Sequence, residues 1–133
     1  MALRTLVPGT AGGAVLILDE PLSFWGGVDA SSGEIIDVHH PQRGANVAGR
    51  VLVMPGGRGS SSSSSVLAEA IRSGTAPAAI VLLEPDPILA LGAIVARELY
   101  GIVVPVVEGR TDLRDGVLVS VEADAGGAVV RIP

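Results

Sequence analysis

The fold of this chain is decided by residues 51–74, which read VLVMPGGRGSSSSSSVLAEAIRSG. The first four residues are apolar and are followed by Pro55 and two glycines, a pattern that predicts a buried strand ending in a turn. After the serines, apolar residues recur at positions 66, 67, 70 and 71 with helical spacing, and Gly74 is a typical helix stop. The stretch therefore predicts a strand, a glycine-rich loop and a helix that begins near Ser65, with Ser64 or Ser65 as its N-cap.

The sequence after this unit predicts further strands and one more helix. Residues 88–100 are apolar nearly all round and are followed by Gly101, which predicts a buried helix ended by a glycine. Short apolar runs predict strands at residues 79–83, 103–107, 117–121 and 128–132. Strands that alternate with helices in this way indicate parallel strands joined by crossover helices.

The sequence upstream of the unit predicts two strands and an irregular segment. Apolar runs at residues 3–7 and 14–18 predict strands, and residues 8–13 between them are rich in glycine, which predicts a turn. Residues 19–41 show no regular period. We therefore expect an α/β fold with a parallel core and added antiparallel strands, as a single domain over residues 1–133.

Composition and charge exclude several classes of protein. The 133 residues carry a formal net charge of −5, and the nine basic residues are all arginines without a basic cluster, so no nucleic-acid partner is expected. Cys is absent, so this chain alone can hold neither a disulfide, a thiol nucleophile nor an iron–sulfur cluster. The longest apolar run, residues 88–95, is too short to span a membrane, and no signal peptide is recognised. We expect a soluble cytoplasmic protein.

The glycine–serine loop, residues 56–65, has two physical interpretations. As a low-complexity run it is typical of a flexible tether. Between a strand and a helix, however, backbone N–H groups point at one spot, so the loop could bind an anion or stabilise a serine alkoxide that acts as a base. A phosphate-binding P-loop would need Lys, which the chain lacks, and a nucleophile elbow would need Gly-x-Ser-x-Gly, which the loop does not match.

Part of this loop, Gly57-Arg58-Gly59-Ser60-Ser61, resembles the serine loop of the aconitase swivelling domain. In that family the first serine after the glycine pair is the catalytic base, so the resemblance implies that Ser60 is the base. It also implies substrate-binding roles for Gly57, Arg58, Gly59 and Ser61. The aconitase loop continues with an arginine that grips a substrate carboxylate, whereas position 62 is a serine here, which argues against citrate or isocitrate as substrate. The nearest arginine, Arg58, is the candidate for a bidentate hydrogen-bonded contact with a carboxylate or phosphate of the substrate.

A wider set of motifs resembles the small subunit of aconitase X. The motifs are PLSFWGGVD at residues 21–29, D-x-HHP at 37–41, the strand and loop at 51–60, GTAPAAI at 74–80 and EPDPI at 84–88. This resemblance implies a swivelling β/β/α domain that closes over a large subunit and forms a heterodimer with it. The large subunit would carry the iron–sulfur cluster, in agreement with the absence of Cys from this chain.

The same resemblance implies a dehydratase and leaves its substrate open between two molecules. The FWGG and HHP motifs with the long serine tract are more similar to the bacterial type, which dehydrates cis-3-hydroxy-L-proline to a pyrroline-2-carboxylate. The alternative is the small subunit of a mevalonate 5-phosphate dehydratase. Two functions without catalysis are also open, namely an anion-binding module and an interaction domain in which the serines are only a tether.

Several other residues have both a structural and a functional interpretation. For His39 and His40 we favour hydrogen bonds that order a loop over a metal site, since adjacent histidines rarely reach one ion. Phe24 and Trp25 could line the substrate or a subunit interface, or fill the core of the domain itself. Two acidic residues after the strand at 79–83 are interpreted as part of a plain turn into the next helix, namely Glu84 and Asp86.

Overall fold

Apolar strands alternate with two long helices along the chain, and the strands close into a barrel. The computed structural model describes residues 2–57 and 61–133. The strands are β1 (Ala2–Val7), β2 (Gly9–Ile17), β3 (Val51–Met54), β4 (Ala79–Leu82), β5 (Val106–Glu108), β6 (Leu118–Asp124) and β7 (Gly127–Arg131). The helices are α1 (Phe24–Gly27), α2 (Ser62–Ser73) and α3 (Pro87–Tyr100).

Around the barrel the strands follow the order β1-β5-β4-β3-β2-β6-β7, and β7 pairs with β1 to close it. The strands β2, β3, β4 and β5 pair parallel to one another. The remaining pairs, which involve β1, β6 and β7, are antiparallel. The apolar runs predict strands of both kinds, but they do not predict the closure, because it depends on the pairing of the first strand with the last.

The glycine-rich turn predicted at residues 8–13 is wrong. Strand β2 begins at Gly9 and pairs with β6 over six residues, from Gly9 opposite Ala123 to Ala14 opposite Leu118. Glycine is needed here for close backbone approach and not for a turn, because a Cβ on Gly13 would overlap the carbonyl oxygen of Gly49. The glycines of this stretch therefore lie inside β2, among the six residues that pair with β6.

The apolar residues form two clusters, one on each face of the sheet. Alternate residues of a strand point to opposite faces, so Ala79 and Val81 of β4 lie in one cluster while Ile80 and Leu82 lie in the other. The first cluster fills the barrel interior, mostly with Val and Ala. The second lies between the barrel and the helices and includes Leu67 of α2. Both clusters are almost entirely aliphatic, with Phe24 as the exception.

Helix α2 begins earlier than predicted. Ser64 and Ser65 lie inside it, so the predicted N-cap at either of them is wrong; the N-cap is Ser61, whose side chain makes no capping hydrogen bond. The predicted ends are confirmed, since Gly74 and Gly101 follow α2 and α3 with φ of 78° and 68°, in the left-handed region that favours glycine. Among the described residues no helix is long and apolar enough to cross a membrane.

Candidate functional site

The glycine–serine loop connects the carboxyl end of β3 to α2. Gly57 and Ser61 are described, whereas Arg58, Gly59 and Ser60 lie outside the described residues. The assignments of Ser60 as base and of Arg58 and Gly59 as substrate-binding residues therefore stay predictions. What the structure provides is the position of both ends of this tripeptide, and the contacts that hold them.

The start of the loop is held from two sides at Gly57. This residue forms an isolated parallel bridge with Leu22, whose side chain is buried. On the side where a side chain would begin, a Cβ would overlap carboxylate Oδ2 of Asp86 and would lie 3.3 Å from Cδ1 of Leu89. Gly56, by contrast, has open space at the same point. A side chain at position 57 would therefore have to displace the carboxylate of Asp86.

The end of the loop is held by Ser63, which is only 3% exposed. Its hydroxyl lies 3.1 Å from the hydroxyl of Ser23 and accepts a hydrogen bond of 3.3 Å from the backbone N–H of Trp25. The hydroxyl of Ser64 donates to the carbonyl of Ser61 at 2.8 Å. Residues 62–65 thus form the first turn of a packed helix, and the tether interpretation is wrong for them.

A cavity of about 260 Å³ opens at the carboxyl ends of the four parallel strands, beside the start of the loop. Pro55 and Met54 line it, and so does Arg110. Sequence reasoning missed Arg110, although its place just after β5 is a signal, because ligands bind at the carboxyl edge of parallel strands. Arg110 therefore lies at the edge from which the loop projects.

The two adjacent histidines differ in burial and in hydrogen bonding. His40 is buried; its Nδ1 accepts from the backbone N–H of Gln42 at 3.0 Å, so the neutral ring carries its proton on Nε2, which lies 3.1 Å from the carbonyl of Glu20. His39 is exposed. Within residues 2–57 and 61–133, no three His, Asp or Glu side chains cluster as ligands for a metal ion. The prediction of loop-ordering hydrogen bonds is confirmed for His40.

The two neighbouring aromatic residues, Phe24 and Trp25, differ in their exposure. Phe24 is fully buried in the cluster between barrel and helices, which confirms the core interpretation for this residue. Trp25 is 59% exposed, although its backbone N–H is bound to Ser63. Its side chain therefore stands on the surface beside the first turn of α2, where an interface or substrate role stays a prediction.

The acidic residues after β4 form the predicted turn into α3. Glu84 is exposed, and its backbone N–H donates to the carbonyl of Pro55 at 3.1 Å. Asp86 is the N-cap of α3, because its Oδ1 accepts from the backbone N–H groups of Ile88 and Leu89 at 2.9 and 3.3 Å. Sequence reasoning did not foresee that the second oxygen of Asp86 faces Gly57.

Two carboxylates outside the glycine–serine loop, Asp29 and Glu69, have lowered pKa values. The side-chain and backbone hydrogen bonds from Ser31, 2.6 and 2.9 Å long, lower the pKa of Asp29 and fold a turn. On α2, a hydrogen bond from Arg72 lowers the pKa of Glu69, and the pair is exposed. These shifts therefore report local structure and assign no acid or base to the loop.

Comparison with known families and structures agrees with this geometry. The model of the aconitase X swivel domain matches residues 1–130. The crystal structure of aconitase X from Thermococcus kodakaraensis, in its holo-form, superposes with a TM-score of 0.86 at 36% identity and covers 98% of both chains. A second protein, solved by solution NMR, has a TM-score of 0.83 at 35% identity over 98% of both chains.

Two relatives are similar in sequence and carry different names. The cis-3-hydroxy-L-proline dehydratase of Pseudomonas aeruginosa is 60% identical over 103 residues, which are 77% of this chain but 18% of that protein. The phosphomevalonate dehydratase small subunit of Methanothermobacter thermautotrophicus is 41% identical over 128 residues, covering 92% of this chain and 93% of that one. This chain therefore spans less than a fifth of the first relative and nearly all of the second.

Proposed function

Because the chain belongs to the aconitase X swivel-domain family, we propose that it is the small subunit of a dehydratase and acts together with a large subunit. Relatives named as dehydratases, one of them as a small subunit, support this proposal. The large subunit would face the glycine–serine loop, and the substrate, a small hydroxy acid, would lie between the two.

The observation that carries the proposal is that the described loop ends are held firmly at the carboxyl edge of the barrel. Leu22 and Asp86 hold Gly57 at the start, and Ser23 and Trp25 hold Ser63 at the end. A loop anchored in this way can present a catalytic group with a defined geometry, which a tether cannot do.

Ser60 is the proposed base. As the alkoxide, its oxygen would take the proton from the carbon beside the substrate carboxylate. The electron pair of that C–H bond would form the double bond, and the hydroxyl group would leave from the neighbouring carbon as hydroxide. Deprotonated serine is costly at neutral pH, and backbone N–H groups with the amino end of α2 are the features that would lower this cost. Arg58 would hold the carboxylate, with Gly57, Gly59 and Ser61 shaping the site around it.

The iron–sulfur cluster expected for the family does not fit this chain. Cys is absent from the sequence, and the part of the chain that the structure describes holds no cluster of three His, Asp or Glu side chains. We therefore propose that the large subunit holds the cluster. In this proposal the chain binds and orients the substrate and takes its proton.

The substrate that we propose is cis-3-hydroxy-L-proline, with a pyrroline-2-carboxylate as product. The support is the 60% identity to the Pseudomonas dehydratase, the higher of the two identities given above. Mevalonate 5-phosphate is the second candidate, because the match to the Methanothermobacter small subunit extends over nearly the full length of both chains.

The test is to co-express the chain with a large aconitase X subunit and to assay both substrates. We expect turnover of cis-3-hydroxy-L-proline; turnover of mevalonate 5-phosphate alone would select the second candidate. No activity on either, together with saturable binding of inorganic phosphate to the complex, would instead support an anion-binding module.

The variant Ser60→Ala tests the base. We expect kcat to fall roughly 10²–10⁴-fold, the usual contribution of a positioned base, while the heterodimer elutes unchanged in size-exclusion chromatography. The matched control is Ser65→Ala, an exposed serine of the same run, which should leave kcat unchanged. Near-normal turnover of Ser60→Ala would remove Ser60 from the mechanism.

A further inference from the structure

The two carboxylate oxygens of Asp86 have different tasks. Oδ1 accepts both hydrogen bonds from the first turn of α3, at 2.9 and 3.3 Å. One oxygen is sufficient for an N-cap, since Ser and Thr cap helices with a single hydroxyl. The cap therefore gives no reason for the second oxygen, Oδ2, which points away to the loop and lies against the α-carbon of Gly57.

The backbone at Gly57 is confined by these contacts. The bridge to Leu22 holds its main chain on one side, and Oδ2 of Asp86 with Cδ1 of Leu89 occupies the side where a Cβ would be. Asp86 is itself only partly exposed and is tied to α3, so its carboxylate cannot swing away without losing the cap. The start of the loop is thus set by a group that belongs to a different element.

From this arrangement we propose that Asp86 is a positioning residue for the reaction, whose Oδ2 fixes Gly57 and thereby the loop that carries Ser60. The catalytic part of this inference rests on the proposed function, whereas the contact between Oδ2 of Asp86 and Gly57 is independent of it. A shift of about 1 Å in a catalytic group can cost on the order of 100-fold in rate, so a small movement of Gly57 is sufficient to matter.

The experiment is a cycle of Gly57→Ala, Asp86→Ser and the double variant, each assayed in the complex with the large subunit. Ser retains the N-cap oxygen of Asp86 but lacks Oδ2, which makes room for a methyl group at position 57. We expect kcat to fall about 100-fold in Gly57→Ala and about tenfold in Asp86→Ser, with KM little changed. The double variant should recover kcat at least about tenfold over Gly57→Ala, because the methyl group occupies the place of Oδ2.

Asp86→Asn is the conservative control, since it keeps an atom at the position of Oδ2 and should keep kcat within about threefold of the wild type. If Asp86 serves only as a cap, Asp86→Ser will have wild-type kcat and will not restore the kcat of Gly57→Ala in the double variant. Either result overturns the proposal. Additive losses in the double variant would overturn it as well.

A readout without turnover separates this inference from the proposed function. In the full chain, the backbone amide resonance of Gly57 should shift in Asp86→Ser and stay near its wild-type position in Asp86→Asn. If Gly57→Ala fails to fold, restored thermal unfolding in the double variant reports the same contact. An inactive wild-type complex that shows this pattern would refute the proposed function alone, whereas an unchanged Gly57 resonance in Asp86→Ser would refute the role of Asp86.

Discussion

Ser63 is buried, whereas Ser61, Ser62 and Ser65 are exposed, and its hydroxyl has two partners. Its hydroxyl contacts the hydroxyl of Ser23 and accepts from the backbone N–H of Trp25. These contacts join the segment before β3 to the first turn of α2. A buried hydroxyl with partners stabilises a fold modestly, whereas partners left without it lose their hydrogen bonds in a site that water reaches poorly.

We predict that Ser63→Ala lowers the free energy of unfolding by about 1–2 kcal/mol, because it leaves the N–H of Trp25 without its acceptor. Urea unfolding followed by circular dichroism measures this loss. The control is Ser65→Ala, which is exposed on the same helix and should change the free energy by no more than about 0.5 kcal/mol. Equal effects of the two substitutions would contradict the special role of Ser63.

At the scale of single residues, the sequence could indicate the loop but not its supports. The motif around Gly57 is local, so it can be recognised from neighbouring residues. The burial of Ser63 and the second oxygen of Asp86 depend on contacts between distant parts of the chain, such as Ser23 and Ser63, which are 40 residues apart. No local pattern encodes such contacts, and therefore these residues appear in the sequence as ordinary polar residues.

At the scale of elements, α2 and α3 pack closely against each other at Gly92. A Cβ on this residue would lie 2.7 Å from the carbonyl oxygen of Ser64 and 3.2 Å from Cβ of Leu67. The backbone of α3 therefore approaches the same serine turn that ends the loop. Helices usually stand 8–10 Å apart, and a glycine at the crossing point allows the shorter end of this range.

We predict that Gly92→Ala destabilises the protein by about 1–3 kcal/mol through overpacking against Ser64. The sign of the change in the free energy of unfolding is informative, because the same substitution in an unpacked helix would stabilise that helix by about 1 kcal/mol. The midpoint of urea unfolding gives the result, with Leu91→Ala, 52% exposed, as a control that should cost less. Increased stability of Gly92→Ala would show that the helices have room between them.

The errors in the predicted elements have physical causes. Serine is a weak helix former, so intrinsic preference places the start of α2 after the run; the contacts of Ser63 extend the helix to Ser62 instead. Glycine is equally ambiguous, since at Gly74 it ends a helix while at Gly13 it lets the turn that contains Gly49 approach strand β2 closely. Local sequence distinguishes these uses only when the neighbouring pattern is strongly periodic, as it is in α2 and α3.

At the scale of the whole molecule, the narrow barrel interior restricts side-chain size. Ala79 is fully buried in it and lies opposite Val51. We predict that Ala79→Leu costs about 1–3 kcal/mol, because three added carbons have no free volume to enter. Ala125→Leu, in the exposed turn between β6 and β7, should change stability by no more than about 0.5 kcal/mol. Calorimetric unfolding measures both, and a tolerated Ala79→Leu would mean that the interior contains a void.

The closed barrel determines how a partner can attach. Every described strand has a neighbour on both sides, so no row of free backbone N–H and C=O groups is offered for strand addition. A partner must therefore hold this domain through side chains and loops, which can be released and engaged again without disturbing a β-ladder. A domain built in this way can move as a rigid body against its partner, and it is protected from edge-to-edge association with its own copies.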